Sequence, residues 1–241
     1  MNLDLMMEES LERFYSLVER LRVLTGGART LSECTKNTGW PDRGVYFFVD
    51  SLEHLSDGRS RVVRVGTHAI TDGSSTTLWQ RLSQHRGSTS RDSGQMGGNH
   101  RGSVFRRHVG DAIIASDKQY TPIASTWGVG SNAPREVRNS EQPVELAVSK
   151  YIGGLSVLWL GVVDEPSPLS DRATIERNVI SLLSSPQATN QASASSEWLG
   201  ELSGNFVYRP LCSGWFLSSS VRTEAIKRSC FAFELYLNFV F

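Results

Sequence analysis

Gly44-Val45-Tyr46-Phe47-Phe48-Val49, then Arg61-Val62-Val63-Arg64-Val65-Gly66-Thr67, then Leu78-Trp79-Gln80-Arg81-Leu82-Ser83-Gln84-His85: the fold turns on these three pieces. The first two are β-branched and aromatic, which predicts strands, and Asp57-Gly58 marks a turn between them. Alternation along the first strand puts Tyr46 on one face with Gly44 and Phe48, and Val45, Phe47 and Val49 on the other. Gly66, ending the second strand, admits the close approach of a backbone or a ligand. The third piece predicts a helix capped by Thr76 or Thr77. On its wheel Leu78 and Leu82 lie about 40° apart, with Arg81 and His85 beside them. At i,i+4 the heads of Arg81 and His85 can converge on one ligand.

The rest of the chain bounds what this module can belong to. Its 241 residues suit one large domain or two small ones, and 39% apolar residues suffice for a packed core. Net charge is zero, so no whole-protein field favours nucleic acid. Arginine nevertheless outnumbers lysine 21 to 4, and the planar guanidinium suits phosphate better than a point charge. Cys34, Cys212 and Cys230 are odd in number and lack metal-type spacing, which fits a reducing cytoplasm. Acids from Asp4 onward and no apolar h-region argue against a secretory signal. No run of about 18 apolar residues predicts a membrane span.

Outward from the module, residues 2–25 predict an amphipathic packing helix through Leu11, Phe14, Val18, Leu21 and Leu24, ended by Gly26-Gly27. Residues 86–110 read as loop, then helix. Between 79 and 108 stand six arginines and three histidines against one acid, Asp92. Such a stripe is the footprint of a phosphate-tracking surface, and it nominates Arg86, His100, Arg101 and Arg106. Residues 143–152 predict a helix ending at Gly153-Gly154, and Val157–Val163 a central strand buried on both faces. Residues 171–184 predict a helix capped by Ser170 or Asp171, with Ile175, Val179, Leu182 and Leu183 on its apolar face. Glu176 falls within that stripe. A carboxylate there needs a salt-bridge partner or a metal.

Phosphodiester cleavage needs a base for water, positive charge at the phosphate and usually a metal at the leaving oxygen. Tyr46, His85, Arg81 and Glu176 supply those chemistries. In chain order, Gly44-Val45-Tyr46, Arg64-Val65-Gly66, Arg81 with His85, and Glu176 resemble the GIY-YIG nuclease family. The resemblance covers roughly 44–200. It implies an α/β (α+β) fold, a small three-stranded antiparallel sheet flanked by helices, here with an added N-terminal helix and a long insertion. On that basis the chain divides into an N-terminal helical extension (1–40), a nuclease domain (41–205, insertion at about 86–153) and an atypical C-terminal tail (206–241). The resemblance also implies Mg²⁺- or Mn²⁺-dependent endonucleolytic hydrolysis of DNA. Carried over, Tyr46 positions or activates the water with His85, Arg81 binds the scissile phosphate, and Glu176 holds the metal.

The R-x-x-x-H spacing resembles the restriction-endonuclease branch, which implies a bacterial defence role. Cutting both strands symmetrically would call for a homodimer. Three departures stand out. Arg64 replaces the first tyrosine of the second tripeptide, where it can contact phosphate instead. A literal Tyr151-Ile152-Gly153 ends a predicted helix, far in sequence from Tyr46. No asparagine follows Trp215, so Asn190 and Asn205 are the remaining equivalents of a family asparagine. Two rivals follow: a non-catalytic nucleic-acid-binding or interaction module on the same fold, and a different metal hydrolase built on His100 and His108.

Overall fold

The computed structural model describes residues 3–89, 96–185, 188 and 192–193. The elements are α1 (Leu3–Leu24), β1 (Arg29–Thr30), β2 (Gly44–Leu55), β3 (Ser60–Gly66), α2 (Leu78–Arg86), α3 (Val104–Ser116), α4 (Arg135–Gly154), β4 (Ser156–Gly161), α5 (Asp171–Leu183) and β5 (Ala192–Ser193). All strand pairings are antiparallel, in the order β1-β4-β2-β3, with β5 joining β2. The expected three-stranded sheet is therefore β4-β2-β3, extended by two-residue strands. The fold is α+β, as expected.

Every residue of β2 from Gly44 to Asp50 is buried, because the alternation fills two cores rather than one. Val45, Phe47 and Val49 pack with Leu158 and Leu160 against α1 and α5. Tyr46 and Phe48 pack with Val157 and Trp159 against α2, α3 and α4. The molecule is thus helix, sheet, helix in three layers. The predicted packing face of α1 is confirmed: Leu11, Phe14, Val18 and Leu21 are buried in the first core.

Val157–Val163 is expected to be a central strand buried on both faces, and β4 is that strand: Val157–Gly161 are buried and it lies between β1 and β2, with Val162 and Val163 beyond its end. One expectation needs correcting. The helix expected over 143–152 begins at Arg135, because Pro143, a residue favoured in first turns, here sits inside the helix. Tyr151-Ile152-Gly153 lies in that helix, and the Tyr151 hydroxyl donates to Asp50 Oδ2. Asn190, Asn205 and the 206–241 tail fall outside the described residues.

Candidate active site

The site forms at one end of the sheet, where β2 begins and β3 stops. Both tripeptide glycines are required there by close approach. A Cβ on Gly44 would meet the Leu160 carbonyl oxygen of β4 at 2.4 Å. Gly66 is the register partner of Tyr46, and a Cβ on it would meet the Tyr46 hydroxyl at 2.1 Å. The tyrosine ring therefore lies across the glycine. Phe48 pairs with Arg64, so Tyr46, Phe48, Arg64 and Gly66 share the sheet face that looks toward α2 and α3.

α2 carries the next two groups. Thr77 and Gln80 close a capping box at its start, which fixes the helix beside β2. His85 is completely buried, with Nε2 2.7 Å from the Tyr46 hydroxyl and Nδ1 2.7 Å from Ser103 Oγ. Arg81 stays partly exposed one turn earlier and donates to Gln84 Oε1 at 2.7 Å. Arg64 lays its guanidinium over the Phe105 ring at 5.6 Å, and its buried Nε has no hydrogen-bond partner among the described residues.

Glu176 arrives from α5, on the opposite side of the sheet, by reaching round the end of β3. Its Oε1 accepts the backbone N–H of Thr67 at 3.1 Å, while Thr67 Oγ1 donates to the Gly44 carbonyl. The turn carrying Thr67 is tied to α5 a second time: buried Arg172 donates to the carbonyls of His68 and Ala69, both at 2.9 Å, and pairs with Asp164 at 2.7 Å. Arg172 and Glu176 are one turn apart on α5, so one residue anchors the loop to which the other bonds.

The electrostatics bind these groups into one site. Burial raises the Tyr46 pKa, Arg64 and Arg81 pull against that rise, and Glu176 adds to it. Burial also pushes His85 well below its ordinary range, and Arg81, Arg64 and Arg106 push the same way, so the imidazole is neutral. The Glu176 carboxyl is raised by desolvation, opposed by Arg64, the Thr67 N–H and Arg81. Four elements thus deliver Tyr46, Arg64, Arg81, His85 and Glu176 within electrostatic reach of one another. Nearby, His68 is lowered to about 4, first by burial and then by Arg172, Arg81 and Arg43.

The donor set fits a hard divalent ion. Among the described residues nothing hydrogen-bonds Glu176 Oε2, and one carboxylate oxygen completed by waters and phosphate oxygens is a usual Mg²⁺ arrangement. No cluster of three or more His, Cys, Asp or Glu side chains poised to hold a metal occurs among the described residues. The His100/His108 alternative therefore has no third ligand there.

The other nominated cations lie elsewhere. Arg106 is completely buried: its Nε and Nη2 donate to Glu145 Oε2, Nη2 also to Ser149 Oγ, and Nη1 to the carbonyls of His85 and Arg86. Arg101 forms a fork on Glu141 at 2.6 and 2.9 Å with its side chain 5% exposed. His100 bonds Glu145 Oε1 at 2.9 Å, accepts from the Gly128 N–H and stacks on Trp127. Arg86 caps the Cys34 carbonyl at 2.8 Å and lies over Trp79. α4 thus supplies acids to two arginines and one histidine of the stripe: Glu141 to Arg101, and Glu145 to Arg106 and His100. A cavity of about 340 Å³ lined by Gln84, Gly97, Gly98, Asn99 and Gly102 adjoins this network rather than Tyr46.

Reasoning from sequence missed three contributors: Ser103, Thr67 and Arg172. The i,i+4 pairing of Arg172 with Glu176 was the available signal for the last; nothing local marked the other two.

A GIY-YIG domain model matches residues 6–210. The chain belongs to the GIY-YIG nuclease family, and the match takes in α1 as well as the sheet and α5. Comparison with curated proteins and with solved structures gave no match. No helix among the described residues is long and apolar enough to cross a membrane.

Proposed function

We propose that this protein is a divalent-metal-dependent endonuclease that hydrolyses DNA phosphodiesters at the end of the β2–β3 pair. The observation that carries the reading is the convergence of a phenol, two guanidiniums, an imidazole and a carboxylate from β2, β3, α2 and α5. Tyr46 takes or orients the proton of the attacking water, with His85 behind it. Arg81 and Arg64 bind the scissile phosphate and offset the charge that builds on its oxygens. Glu176 would hold Mg²⁺ or Mn²⁺, which when bound supplies a Lewis acid for the leaving oxygen. Phosphate contact is thereby assigned to Arg64 and Arg81. Arg86, His100, Arg101 and Arg106 serve the scaffold, since moving them to a phosphate would strand buried carboxylates and carbonyls. The R-x-x-x-H spacing of Arg81 and His85 supports a restriction-type role in bacterial defence, in the cytoplasm, with a dimer if both strands are cut.

Incubating purified protein with plasmid DNA, with and without Mg²⁺, tests this. The expected result is metal-dependent nicking or linearisation that falls about 10²–10³-fold or more in Arg81→Ala and Glu176→Ala. Full activity in either variant would sink the assignment. A second reading, DNA binding without cleavage, is favoured by one observation: Tyr46 and His85 are both completely buried. Binding with no cut under any divalent ion would establish it.

A further inference from the structure

The turn that follows β3 buries a histidine outside the set of catalytic groups. His68 is 5% exposed, its Nδ1 lies 2.8 Å from the Thr76 carbonyl oxygen, and its buried Nε2 has no hydrogen-bond partner among the described residues. We infer that His68 is a positioning residue of the active site: its Nε2 accepts a hydrogen bond from a water of the divalent ion held by Glu176, and so fixes the ion's outer shell without ligating the ion. This rests on the reading of Glu176 as the metal-holding carboxylate.

The carbonyl partner decides which nitrogen is bare. A carbonyl oxygen only accepts, so Nδ1 carries the ring's proton and donates it to Thr76. A second proton on Nε2 would make a buried imidazolium. Burial opposes that first, and then Arg172, Arg81 and Arg43, so the ring stays neutral. Nε2 is therefore a buried lone pair, which costs free energy unless a donor meets it. The three guanidiniums are turned to other acceptors. Arg172 serves the His68 and Ala69 carbonyls and Asp164, Arg43 serves the Asp164 carbonyl and Glu165, and Arg81 serves Gln84.

The turn is built to hold this ring beside Glu176. The preceding residue, Thr67, donates its N–H to Glu176 Oε1, and Arg172, one turn before Glu176 on α5, grips the His68 and Ala69 carbonyls. Ala69 is the only non-glycine with a positive φ among the described residues, at +50°, a conformation alanine rarely takes. Arg81 acts on both Glu176 and His68, so the ring lies within electrostatic reach of the phosphate-binding guanidinium. A phosphodiester has no hydrogen to give to Nε2. A metal-bound water has two, and Mg²⁺ held by one carboxylate keeps several waters. Oxygen suits Mg²⁺ and Mn²⁺ better than imidazole, which places His68 in the outer shell.

Mn²⁺ binding to the full chain without DNA, followed by the EPR signal of the free ion, tests this beside urea unfolding of each variant. His68→Asn keeps an N–H for the Thr76 carbonyl but removes the Nε2 acceptor. It should weaken Mn²⁺ binding about 10–100-fold at an unchanged urea midpoint. His68→Gln places an amide oxygen near the Nε2 position and should recover most of the affinity. Wild-type affinity in His68→Asn overturns the inference. So does a spin-echo modulation from a directly bound imidazole nitrogen that His68→Asn abolishes. Weaker binding that comes with a lower urea midpoint and is not repaired by His68→Gln shows a structural role only, and also overturns it. If Glu176→Ala binds Mn²⁺ as the wild type does, or neither binds it, the metal reading of Glu176 fails and takes the inference with it. Wild-type binding that Glu176→Ala loses and His68→Asn keeps strikes at His68 alone.

Discussion

Arg106 and Arg64 both project into the helical layer that covers Tyr46, and both act on His85. Their surroundings differ in one respect that decides their work. Arg106 meets a carboxylate, three carbonyls and a hydroxyl, which leave none of its side-chain nitrogens idle. Arg64 meets a phenyl face and the Tyr46 hydroxyl but no acid, and its buried Nε is unpartnered among the described residues. A guanidinium with every proton assigned is a strut. One with protons to spare, beside a phenol and a carboxylate, is a receptor for an anion. Arginine count alone does not distinguish the two, but the supply of acceptors does, and α4 brings its acceptors, Glu141 and Glu145, only to the strut side.

Removing each kind of arginine should therefore give opposite results. Arg106→Ala leaves Glu145 buried without its main cation, although burial would raise that carboxyl and Arg106 together with His100 holds it low. Losing one partner of a buried pair costs about 3–5 kcal/mol. Urea unfolding should show a loss of that size in Arg106→Ala. Arg81→Ala, partly exposed, should keep the wild-type midpoint while losing cleavage. If Arg106→Ala unfolds at the wild-type urea concentration, the division into strut and receptor is wrong.

The second contrast lies between the strand glycines and the turn glycine at the other end of the same hairpin. Gly58 adopts φ +87° and a Cβ there meets nothing within 4 Å. Gly66 needs no unusual backbone angle, yet a Cβ on it would fall inside the Tyr46 hydroxyl. Gly66→Ala must push the ring off its hydrogen bond with His85, at a cost of about 1–3 kcal/mol for overpacking. The diagnostic signature is a changed His85 ¹⁵N spectrum together with lost cleavage. A Gly66→Ala protein with an unaltered His85 signal would show that Tyr46 does not lie across Gly66.

Much of this was legible beforehand, for identifiable reasons. The caps at Thr77 and Ser170, the α1 stripe, the two faces of β2 and the position of Glu176 in the α5 stripe are local properties, written within a few residues. The pairing of Arg101 and Arg106 with buried acids was not legible, because Arg101–Glu141 and Arg106–Glu145 join residues 40 and 39 apart. A window of thirty residues counts the arginines and misses their acids. Equally, the wheel placed Glu176 in an apolar stripe but could not say that its partner would be a backbone N–H 109 residues away. That a salt bridge to a core arginine was the competing expectation for Glu176 is instructive: the core arginine on α5 is Arg172, one turn back, and it chose Asp164.

The smallest predicted effect tests whether Glu176 belongs with the receptor groups rather than the struts. A strut carboxylate such as Glu145 has its pKa lowered by its partners, so its charge supports the fold. Glu176 is raised, mainly by desolvation, so its charge opposes the fold. The sign follows from linkage. When the folded-state pKa lies above the unfolded one, the folded protein holds its proton longer, and stability declines as pH climbs from the ordinary glutamate range through the folded value. Glu176→Gln removes that titration while its amide oxygen can still accept from Thr67. Above the raised pKa, at neutral pH, the variant should unfold at a slightly higher urea concentration than wild type, by less than about 1 kcal/mol. As pH falls below the glutamate range, the wild-type carboxyl becomes neutral and the gap should close. A variant less stable than wild type at neutral pH would place Glu176 among the struts. A gain that appears at neutral pH, vanishes in acid and comes with lost cleavage is what a carboxylate held against the preference of the fold for the sake of a metal should give.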